Sequence, residues 1–519
     1  MAEVSIAPPV ELESVDDYLR RLSATLEALR NAPDAAAFAA ERGSIVGLME
    51  ALRPAAPTAA FVPSRYGGRG GHADEWLAVL EVAGYHWLGL TLTLGITGAL
   101  FVQPLARYGE DELQRRLLPR FAREGALGGF MMTEPDHGTD ALGIRTAFRR
   151  EGNGFRVSGT KHWAGLTGVA DYWLVAARED AGDAGLKHDV RLFLLDTADP
   201  SQRPRVVQHY DSLGLYSIPY GRSTVDAYVP EAHMIGAQAV GLDVLMDILA
   251  RSRLAFAGMG MGYLRRLADE ALALTQDRSV GSTRLISFDV VQGRLSRIQT
   301  FVSVCSALCL RVAGLADLGR DLSGQMQSAN ITKALVSDFM HEGAQHLLQL
   351  SGARGYRLSH VAGRSVVDSR PFQIFEGSND VLYHQIARRL LKEWLRREVK
   401  LDEALAAVPD LARGAAFVAS AHQGFAQLDL GFAVSGALPQ RRMVDLGRLV
   451  ACVYAAGAVL DLRDTGYDAR RISSALINLR HEVEALAVGC RRSVSAPITR
   501  ESTPPVAWRA PRPPRSGET

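Results

Sequence analysis

Apolar residues recur at steps of three and four along both ends of the chain, whereas the middle has short apolar or alternating runs. Steps of three and four place apolar side chains on one face of a helix, so they predict an N-terminal α-helical domain at 11–125. The middle runs, punctuated by Gly, Asp and Pro, predict a β-barrel-like domain at 126–238. The predicted helices are 15–29, 73–84 and 111–124, and the predicted strands are 127–132, 155–158, 172–177, 191–195, 205–209 and 223–229.

Long helical patterns return after residue 238 and predict a C-terminal four-helix bundle at 239–396. Further helical patterns at 401–495 predict a helical extension. The remaining stretch, 496–519, is rich in Pro, Arg and Ser and predicts a disordered tail. The chain as a whole is therefore expected to have a multi-domain α+β fold. The predicted bundle helices are 241–273, 288–314, 328–350 and 380–397.

Composition narrows the functional classes. Hydrophobic residues make up 47% of the 519 residues and charged residues 22%, which is typical of a soluble globular protein. The formal net charge of +1 provides no bulk field for nucleic acid or an anionic membrane. No basic segment precedes an apolar one at the start, and no run of about 18 residues is taken as apolar enough for a span. We therefore expect no signal peptide, no transmembrane segment and a cytoplasmic location.

Two groups of residues look like ligand sites but are interpreted as structural. Cys305 and Cys309 are one helical turn apart, but no second Cys or His pair stands nearby at ligand spacing. Buried core thiols are therefore predicted, and no metal site. The GMGMG segment at 258–262 lies inside a helical pattern with no strand before it. Close helix packing through small residues is predicted there, and a Rossmann dinucleotide site is rejected.

Three segments carry candidate chemistry, although each has an ordinary interpretation. In PFQIFEGSND, at 371–380, Glu376 follows an apolar run; alone, it is an acid at a solvated turn or a proton-transferring carboxylate at an apolar wall. MMTEPDHGTD, at 131–140, is a strand that ends in a turn rich in hydroxyl and N–H donors. GTKHW, at 159–163, places a tryptophan beside small residues. Taken alone, the three favour a solvated acid, an ordinary turn and a rim tryptophan, respectively.

In this order and at these spacings, the segments resemble the FAD-dependent acyl-CoA dehydrogenase family from about residue 11 to residue 396. MMTEPDHGTD resembles the family's flavin-binding MTEPxxGSD, and GTKHW resembles its GxKxW. QLSGARGY, at 349–356, resembles QxxGGxGY. VDSR, at 367–370, followed by IFEGSN resembles RDAR…IYEGTN. Supporting signs are VPSRYGG at 62–68, RYG at 107–109, LLP at 117–119, and DSLGL at 211–215 with VP at 229–230.

The resemblance implies an enzyme that binds FAD in an extended form and assembles as a homotetramer or homodimer. It places Thr133 at the isoalloxazine edge and Trp163 over one flavin face. The remaining cofactor contacts that it implies are Thr139 at the pyrophosphate, Ser378 and Asn379 at the phosphate and adenosine end, and Arg278, Gln349 and Gly352 at the FAD of a neighbouring subunit.

The resemblance also places Glu376 at the family's catalytic base, which removes the α-proton of an acyl thioester while the β-hydrogen leaves as hydride to flavin N5. Some branches of the family place the base on the long helix near Arg253 instead. That neighbourhood has no acid here, so Glu376 is the candidate. Arg253 matches an arginine near the substrate entrance and is expected to orient Glu376 or the thioester.

The chain departs from the family pattern next to the flavin. After Trp163 the family has a hydroxyl residue near N5, whereas this chain has Ala164, Gly165 and Leu166. Thr167 would replace that hydroxyl only if the loop shifted. After Arg278, the Phe-Gly of the family is replaced by Gly-Ser at 281–282, which alters the contact between subunits.

The leading hypothesis is an FAD enzyme that introduces a 2,3-double bond into an acyl thioester on CoA or on an acyl carrier protein. The electron acceptor would be electron-transfer flavoprotein or, in an oxidase variant, oxygen. The alternative from another class is a flavin-binding scaffold or nucleic-acid-associated protein with little turnover. A nucleic-acid role would need a basic face, and the charges of the extension roughly balance. Contacts with further subunits or with a membrane surface are the expected role of the extension.

Overall fold

The computed structural model describes residues 13–32, 41–394, 398–421 and 424–491. The tail predicted at 496–519 and the element ends predicted at residues 11 and 397 lie outside these ranges.

The N-terminal domain is helical, as predicted, and packs around buried side chains such as Leu22, Leu80 and Phe121. A π-helical turn, Gly98–Val102, separates two of its helices. Pro104 follows this turn and cannot donate a backbone hydrogen bond, which locally disfavours regular α-helix. The helices are α1 Val15–Arg30, α2 Ile45–Leu52, α3 Ala73–His86, α4 Leu88–Thr97, α5 Gln103–Tyr108 and α6 Asp111–Arg123.

The middle domain is a mixed sheet. Its strands are β1 Gly128–Met131, β2 Ala147–Glu151, β3 Gly154–Gly165, β4 Tyr172–Asp180, β5 Leu186–Asp196, β6 Arg205–His209, β7 Tyr220–Pro230 and β8 Met234–Ile235. The strands follow the hydrogen-bonded order β6-β7-β3-β2-β4-β5-β8, with β1 parallel to β4. The β3–β7 ladder is interrupted by a bulge between His162 and Ala164. This bulge reorients Trp163, which has a positive φ of 56°.

Long helices form the C-terminal bundle and continue into the extension. A short hairpin links the first two helices of the bundle, and a second pair of two-residue strands lies in the extension. The helices are α7 Gly241–Asp277, α8 Asp289–Leu315, α9 Met326–Ser351, α10 Val361–Ser369, α11 Asn379–Leu390, α12 Leu401–Ala406, α13 Pro409–Ala419, α14 Gln440–Asp464 and α15 Ala469–Arg491, and the short strands are β9 Ser279–Val280, β10 Thr283–Arg284, β11 Val399–Lys400 and β12 Ala433–Val434.

The extension shares its core with the bundle. Helix α14 packs so closely on α11 that a Cβ atom added at Gly447 would overlap the carbonyl oxygen of Tyr383. Helix α15 lies against α8, where the Asn478 side-chain amide donates to the Thr300 hydroxyl at 2.9 Å. The extension therefore packs on the same bundle that carries the Glu376 segment at 371–380.

The GMGMG segment is a helix-packing motif, as predicted. It lies within α7, and Gly258 and Gly262 face α3. A Cβ atom at Gly258 would lie 2.7 Å from the Leu77 carbonyl oxygen, and one at Gly262 would overlap the carbonyl oxygen of Glu81. The glycines let two backbones approach where any side chain would separate them.

Replacing Gly262 with alanine is expected to lower the free energy of unfolding by about 1–3 kcal/mol, because the new methyl group must displace the α3 backbone. Gly293→Ala is the matched control, since it adds the same methyl group at an exposed position of α8 with nothing within 4 Å of the new Cβ. Chemical denaturation of the two variants measures the difference. Equal stability would contradict the close packing of α3 on α7.

Element boundaries differ from the predictions where tertiary contacts decide them. The helix predicted at 380–397 ends at Leu390 and is followed by a single turn, Lys392–Trp394. The strand predicted at 155–158 is the N-terminal part of the longer β3, whose partner β7 continues the ladder beyond the apolar run. Strand β2 has three exposed residues and only one that is fully buried, so its apolar pattern was too weak to predict it.

Within the described ranges, three helical stretches are long and apolar enough to cross a membrane by length and composition: Leu88–Tyr108, Asp289–Leu315 and Gln440–Asp464. The expectation that no stretch qualifies is therefore wrong. Their most apolar windows are 100%, 56% and 83% buried inside the protein, so packing in the core accounts for much of this apolarity. Cys305 lies in one of these helices as a buried free thiol, as predicted.

Candidate active site

The turn that carries Glu376 has two consecutive residues in the left-handed region. The φ angle is 58° at Glu376 and 91° at Gly377. A glycine adopts such a value at little cost, whereas a residue with a side chain needs its surroundings to hold it there. The surrounding structure therefore holds this turn in a strained conformation, which sets the direction of the Glu376 carboxylate.

Two cationic side chains hold the backbone of this turn. Arg253 of α7 donates from Nε to the Glu376 carbonyl oxygen at 3.0 Å. Lys333 of α9 donates from Nζ to the Gly377 carbonyl oxygen at 2.7 Å. Both side chains are buried. The structure thus agrees with Arg253 orienting Glu376, and it adds Lys333, which the sequence analysis missed.

Glu376 is half-buried, and one of its carboxylate oxygens is enclosed by the protein. Its Oε2 atom is buried and has no hydrogen-bond partner in the described structure. Burial raises the pKa of the Glu376 carboxyl, against the opposing charges of Arg253 and Lys333 and a hydrogen bond with Ser252. A carboxylate with these properties is a stronger base toward carbon than one in water.

Three aromatic rings form an apolar wall beside the carboxylate. The Phe375 ring centroid lies 4.9 Å from that of Phe372 and 6.1 Å from that of Phe256. Phe256 is one helical turn beyond Arg253 on α7, so one helix supplies both an orienting cation and part of the wall. Phe375 directly precedes Glu376 in the chain, so this apolar cluster lies next to the turn.

A buried ion pair organises the loop that follows β1. The Glu134 carboxylate accepts a hydrogen bond from Lys161 Nζ at 2.8 Å and from the Thr146 hydroxyl at 2.6 Å. Burial opposes ionisation of Glu134, but Lys161 and the hydrogen bonds outweigh it and lower the pKa of the carboxyl. Burial lowers the pKa of Lys161 to about 8. The pair links the loop bearing Thr133 to the strand bearing Trp163.

The predicted flavin contacts Thr133, Thr139 and Trp163 occupy neighbouring parts of the middle domain. Thr133 is half-buried at the end of β1, and Thr139 is exposed in the loop. The Thr133 carbonyl oxygen accepts a hydrogen bond from the backbone N–H of His162 at 3.0 Å, beside Trp163. Trp163 is 51% exposed, and its ring lies 4.4 Å from that of Tyr210. A backbone hydrogen bond therefore joins the segment that carries Thr133 to the strand that carries the exposed Trp163 ring.

A side chain at Gly165 would contact Ile96, which would have to move. A Cβ atom added there would lie 2.8 Å from Ile96 Cδ1 of α4. Thr167 does not replace the hydroxyl of the family pattern, which corrects its assignment as a cofactor contact. Its side chain is fully buried, and its hydroxyl donates to the Ala164 carbonyl oxygen at 2.7 Å. The N-terminal domain thus places an apolar side chain, that of Ile96, against Gly165.

The side chain of Asn379, a residue predicted to contact the cofactor, is engaged within the protein. Asn379 is 6% exposed, and its amide is hydrogen-bonded to Lys333, Asp338 and Ser337. The side-chain amide of Asn379 therefore bonds only to residues inside the bundle among those described. Ser378 is half-buried as the N-cap residue of α11, where a helix N-terminus favours an anionic group.

The three positions assigned to the FAD of a neighbouring subunit lie together on the bundle surface. Arg278, Gln349 and Gly352 are all exposed. Arg278 Nη1 lies 3.4 Å from the Leu350 carbonyl oxygen and 3.7 Å from the Cβ position of Gly352. The altered Gly-Ser pair, 281–282, forms the turn of the adjacent β9–β10 hairpin. The structure brings these residues to one surface on elements other than those that carry Trp163.

Family models for the three domains of acyl-CoA dehydrogenases match the chain in order. The N-terminal domain matches residues 25–125, the middle domain 129–227 and the C-terminal domain 239–391. The chain belongs to the acyl-CoA dehydrogenase family. The mouse mitochondrial very long-chain specific acyl-CoA dehydrogenase is 26% identical over 328 residues, which cover 62% of this chain. The match spans about half of that relative, 49% of its length.

Two solved acyl-CoA dehydrogenases share the fold of this chain over most of its length. Butyryl-CoA dehydrogenase from Megasphaera elsdenii covers 74% of this chain and 99% of its own, with a TM-score of 0.65 and 22% identity. Acyl-CoA dehydrogenase complexed with FAD from Bacillus anthracis covers 94% of this chain and 90% of its own, with a TM-score of 0.73 and 17% identity. The larger coverage indicates that the helical extension is an architecture already present among solved structures of the family.

The side chains of the site fit FAD, the cofactor of this family. The half-exposed Trp163 ring offers a face for a flat ring system, and the loop of Thr133 and Thr139 offers hydroxyl donors. Among the described residues, no cluster of three His, Cys, Asp or Glu side chains is arranged to hold a metal ion.

Proposed function

We propose that the protein is an FAD-dependent α,β-dehydrogenase of an acyl thioester, with Glu376 as the α-proton base. The observation that carries the proposal is the buried, unpartnered Oε2 atom of Glu376 at an aromatic wall, held by a positive-φ turn. A solvated acid at a turn, the ordinary interpretation of this segment, would need neither feature.

Glu376 acts on the α-carbon because its environment makes the carboxylate reactive. Arg253 and Lys333 fix the turn, so the carboxylate is aimed before substrate arrives. The phenylalanine wall and the acyl chain exclude water, which strengthens each electrostatic interaction inside the site. The backbone N–H of Glu376, by analogy with the family, donates to the thioester carbonyl as the α-proton leaves. Bound FAD supplies the acceptor for the β-hydride and a second donor to that carbonyl.

The proposal extends to CoA or an acyl carrier protein as the thioester carrier and to electron-transfer flavoprotein as the acceptor. An oxidase that passes electrons to oxygen is the second candidate. The observation that favours it is Gly165, which lacks the hydroxyl found near flavin N5 in the family and lies against the Ile96 side chain. Hydrogen peroxide formation with substrate as the only reductant distinguishes the two candidates.

The proposed function is tested by titrating the FAD-loaded protein under argon with acyl-CoA and acyl-carrier thioesters of different chain lengths. Loss of flavin absorbance on addition of at least one thioester is expected. Bound FAD that no thioester reduces would instead favour the flavin-binding scaffold. A protein that binds no FAD would overturn both ideas.

Gly165→Ser restores the hydroxyl of the family pattern and is expected to slow flavin reduction by about tenfold, because its side chain collides with Ile96 and displaces the loop beside the flavin. Adding Ile96→Val removes the colliding methyl group and is expected to return most of that rate. Ile96→Val alone is the control for the space that the removed methyl group leaves. The rate constants of flavin reduction for the three variants give the comparison, and an undiminished rate in Gly165→Ser would contradict the contact.

A further inference from the structure

Lys333 is an unusual residue in the bundle because it is a fully buried cation without a direct carboxylate partner. Its side chain is 0% exposed, and in the described part of the chain no carboxylate oxygen lies within 4 Å of its Nζ atom. The Nζ donors are used on the Gly377 carbonyl oxygen at 2.7 Å and on Asn379 Oδ1 at 2.8 Å. Burying an ammonium costs several kcal/mol, so a chain that keeps one at this position has a use for it.

Helix α9 presents Lys333 and Asn330 on one face, three residues apart. The Asn330 side chain accepts a hydrogen bond from Arg253 Nη1 at 2.7 Å, and Arg253 in turn holds the Glu376 carbonyl oxygen. This face of α9 therefore holds two successive carbonyl groups of the turn. Asn330 holds the Glu376 carbonyl through Arg253, and Lys333 holds the Gly377 carbonyl directly. A positive φ at both Glu376 and Gly377 requires those carbonyl groups to be held.

The charges around Glu376 come from two helices. Arg253 of α7 and Lys333 of α9 both favour its ionised form, whereas burial disfavours that form. Asp338 and Glu376 both act on Lys333, and Asp338 also accepts a hydrogen bond from the Tyr383 hydroxyl at 2.8 Å. Burial lowers the pKa of Lys333 to about 7, so the cation is present on the acidic side of neutrality.

We propose that Lys333 is a positioning residue for the base, which fixes the Gly377 carbonyl group and sets the pH below which Glu376 becomes protonated. The inference rests on the proposed function of Glu376. The two effects are separable, because a side-chain amide retains a hydrogen-bond donor without the charge, whereas a thioether retains neither.

The test measures the rate constant of flavin reduction against pH in the FAD-loaded full chain, with a thioester that reduces the wild type. The rate is expected to fall at low pH, where Glu376 becomes protonated; this fall is the acidic limb of the pH–rate profile. Lys333→Gln removes a positive charge near Glu376 and is expected to move the acidic limb to higher pH by about 1 unit, because an opposite charge nearby lowers a carboxyl pKa by about 1–3 units. The plateau rate above that limb is expected to stay within about threefold. Lys333→Met is expected to move the limb equally and to lower the plateau by about tenfold or more, because the turn loses its anchor.

Lys400→Gln is the matched control, since it removes the same charge from an exposed lysine, and its profile is expected to equal that of the wild type. Wild-type profiles for both Lys333 variants, with FAD bound, would overturn the positioning role. The Glu376→Gln variant separates this failure from failure of the proposed function, because reduction that survives in Glu376→Gln would overturn the base itself. Should Lys333→Met not fold, the limb measured in Lys333→Gln decides the electrostatic part.

Discussion

Replacing Glu376 with glutamine is expected to slow flavin reduction by an acyl thioester by about 10³-fold, because a positioned general base contributes about 10²–10⁴-fold and the amide cannot accept the α-proton. The substitution keeps the size of the side chain and the backbone that Arg253 and Lys333 hold. FAD binding is therefore expected to be unchanged. Single-turnover measurements at saturating thioester isolate the chemical step from substrate binding.

Asp380→Asn is the matched control for Glu376→Gln. Asp380 is an exposed carboxylate four residues further along the chain, at the start of α11. Its conversion to an amide is expected to leave the rate within about threefold, because exposed charges contribute little. A Glu376→Gln protein that reduces its flavin as fast as the Asp380→Asn protein would show that another group removes the proton.

Replacing Glu134 with alanine is expected to lower the free energy of unfolding by about 3–5 kcal/mol, because it leaves the buried Lys161 ammonium without its counter-charge. FAD affinity is expected to fall as well, since the pair joins the loop of Thr133 to the strand of Trp163. Chemical denaturation and flavin fluorescence titration measure the two effects.

The control for Glu134→Ala is Asp136→Ala, which removes an exposed carboxylate from the same loop. Its stability and FAD affinity are expected to remain close to those of the wild type. Equal effects of the two substitutions would mean that the loop depends on its overall charge and not on the buried pair.

The sequence predicts this fold well where the local pattern and the tertiary contacts agree. The apolar periodicity locates the three domains, and GMGMG is recognised as a packing motif because it lies inside a helical pattern. The segments around Thr133, Trp163 and Glu376 are found by their order along the chain. Local propensity is consistent with global structure in these regions, which is what makes them predictable.

The missed features depend on residues that are distant in sequence. Lys333 is surrounded by apolar residues in α9, but only the folded structure places it under the Gly377 carbonyl group, 44 positions away. The contact of Ile96 with Gly165 joins two domains and leaves no local signal. Thr167 is an attractive hydroxyl in sequence, yet a turn directs it to the Ala164 carbonyl oxygen.

Proton abstraction and hydride transfer are separate questions, because the proposed base Glu376 precedes a bundle helix and the altered Gly165 position lies on the sheet. A protein that retains the base but transfers hydride slowly would still exchange the α-proton of its substrate with solvent. The exchange reports on Glu376 directly.

The most direct test of Glu376 as the α-proton base is therefore mass spectrometry of acyl thioesters after incubation with the FAD-loaded protein in D₂O. The wild type is expected either to incorporate deuterium at the α-carbon of at least one thioester or to convert it to the 2-enoyl product, and Glu376→Gln is expected to do neither. Wild-type protein with bound FAD that leaves every thioester unlabelled and unconverted would contradict the account.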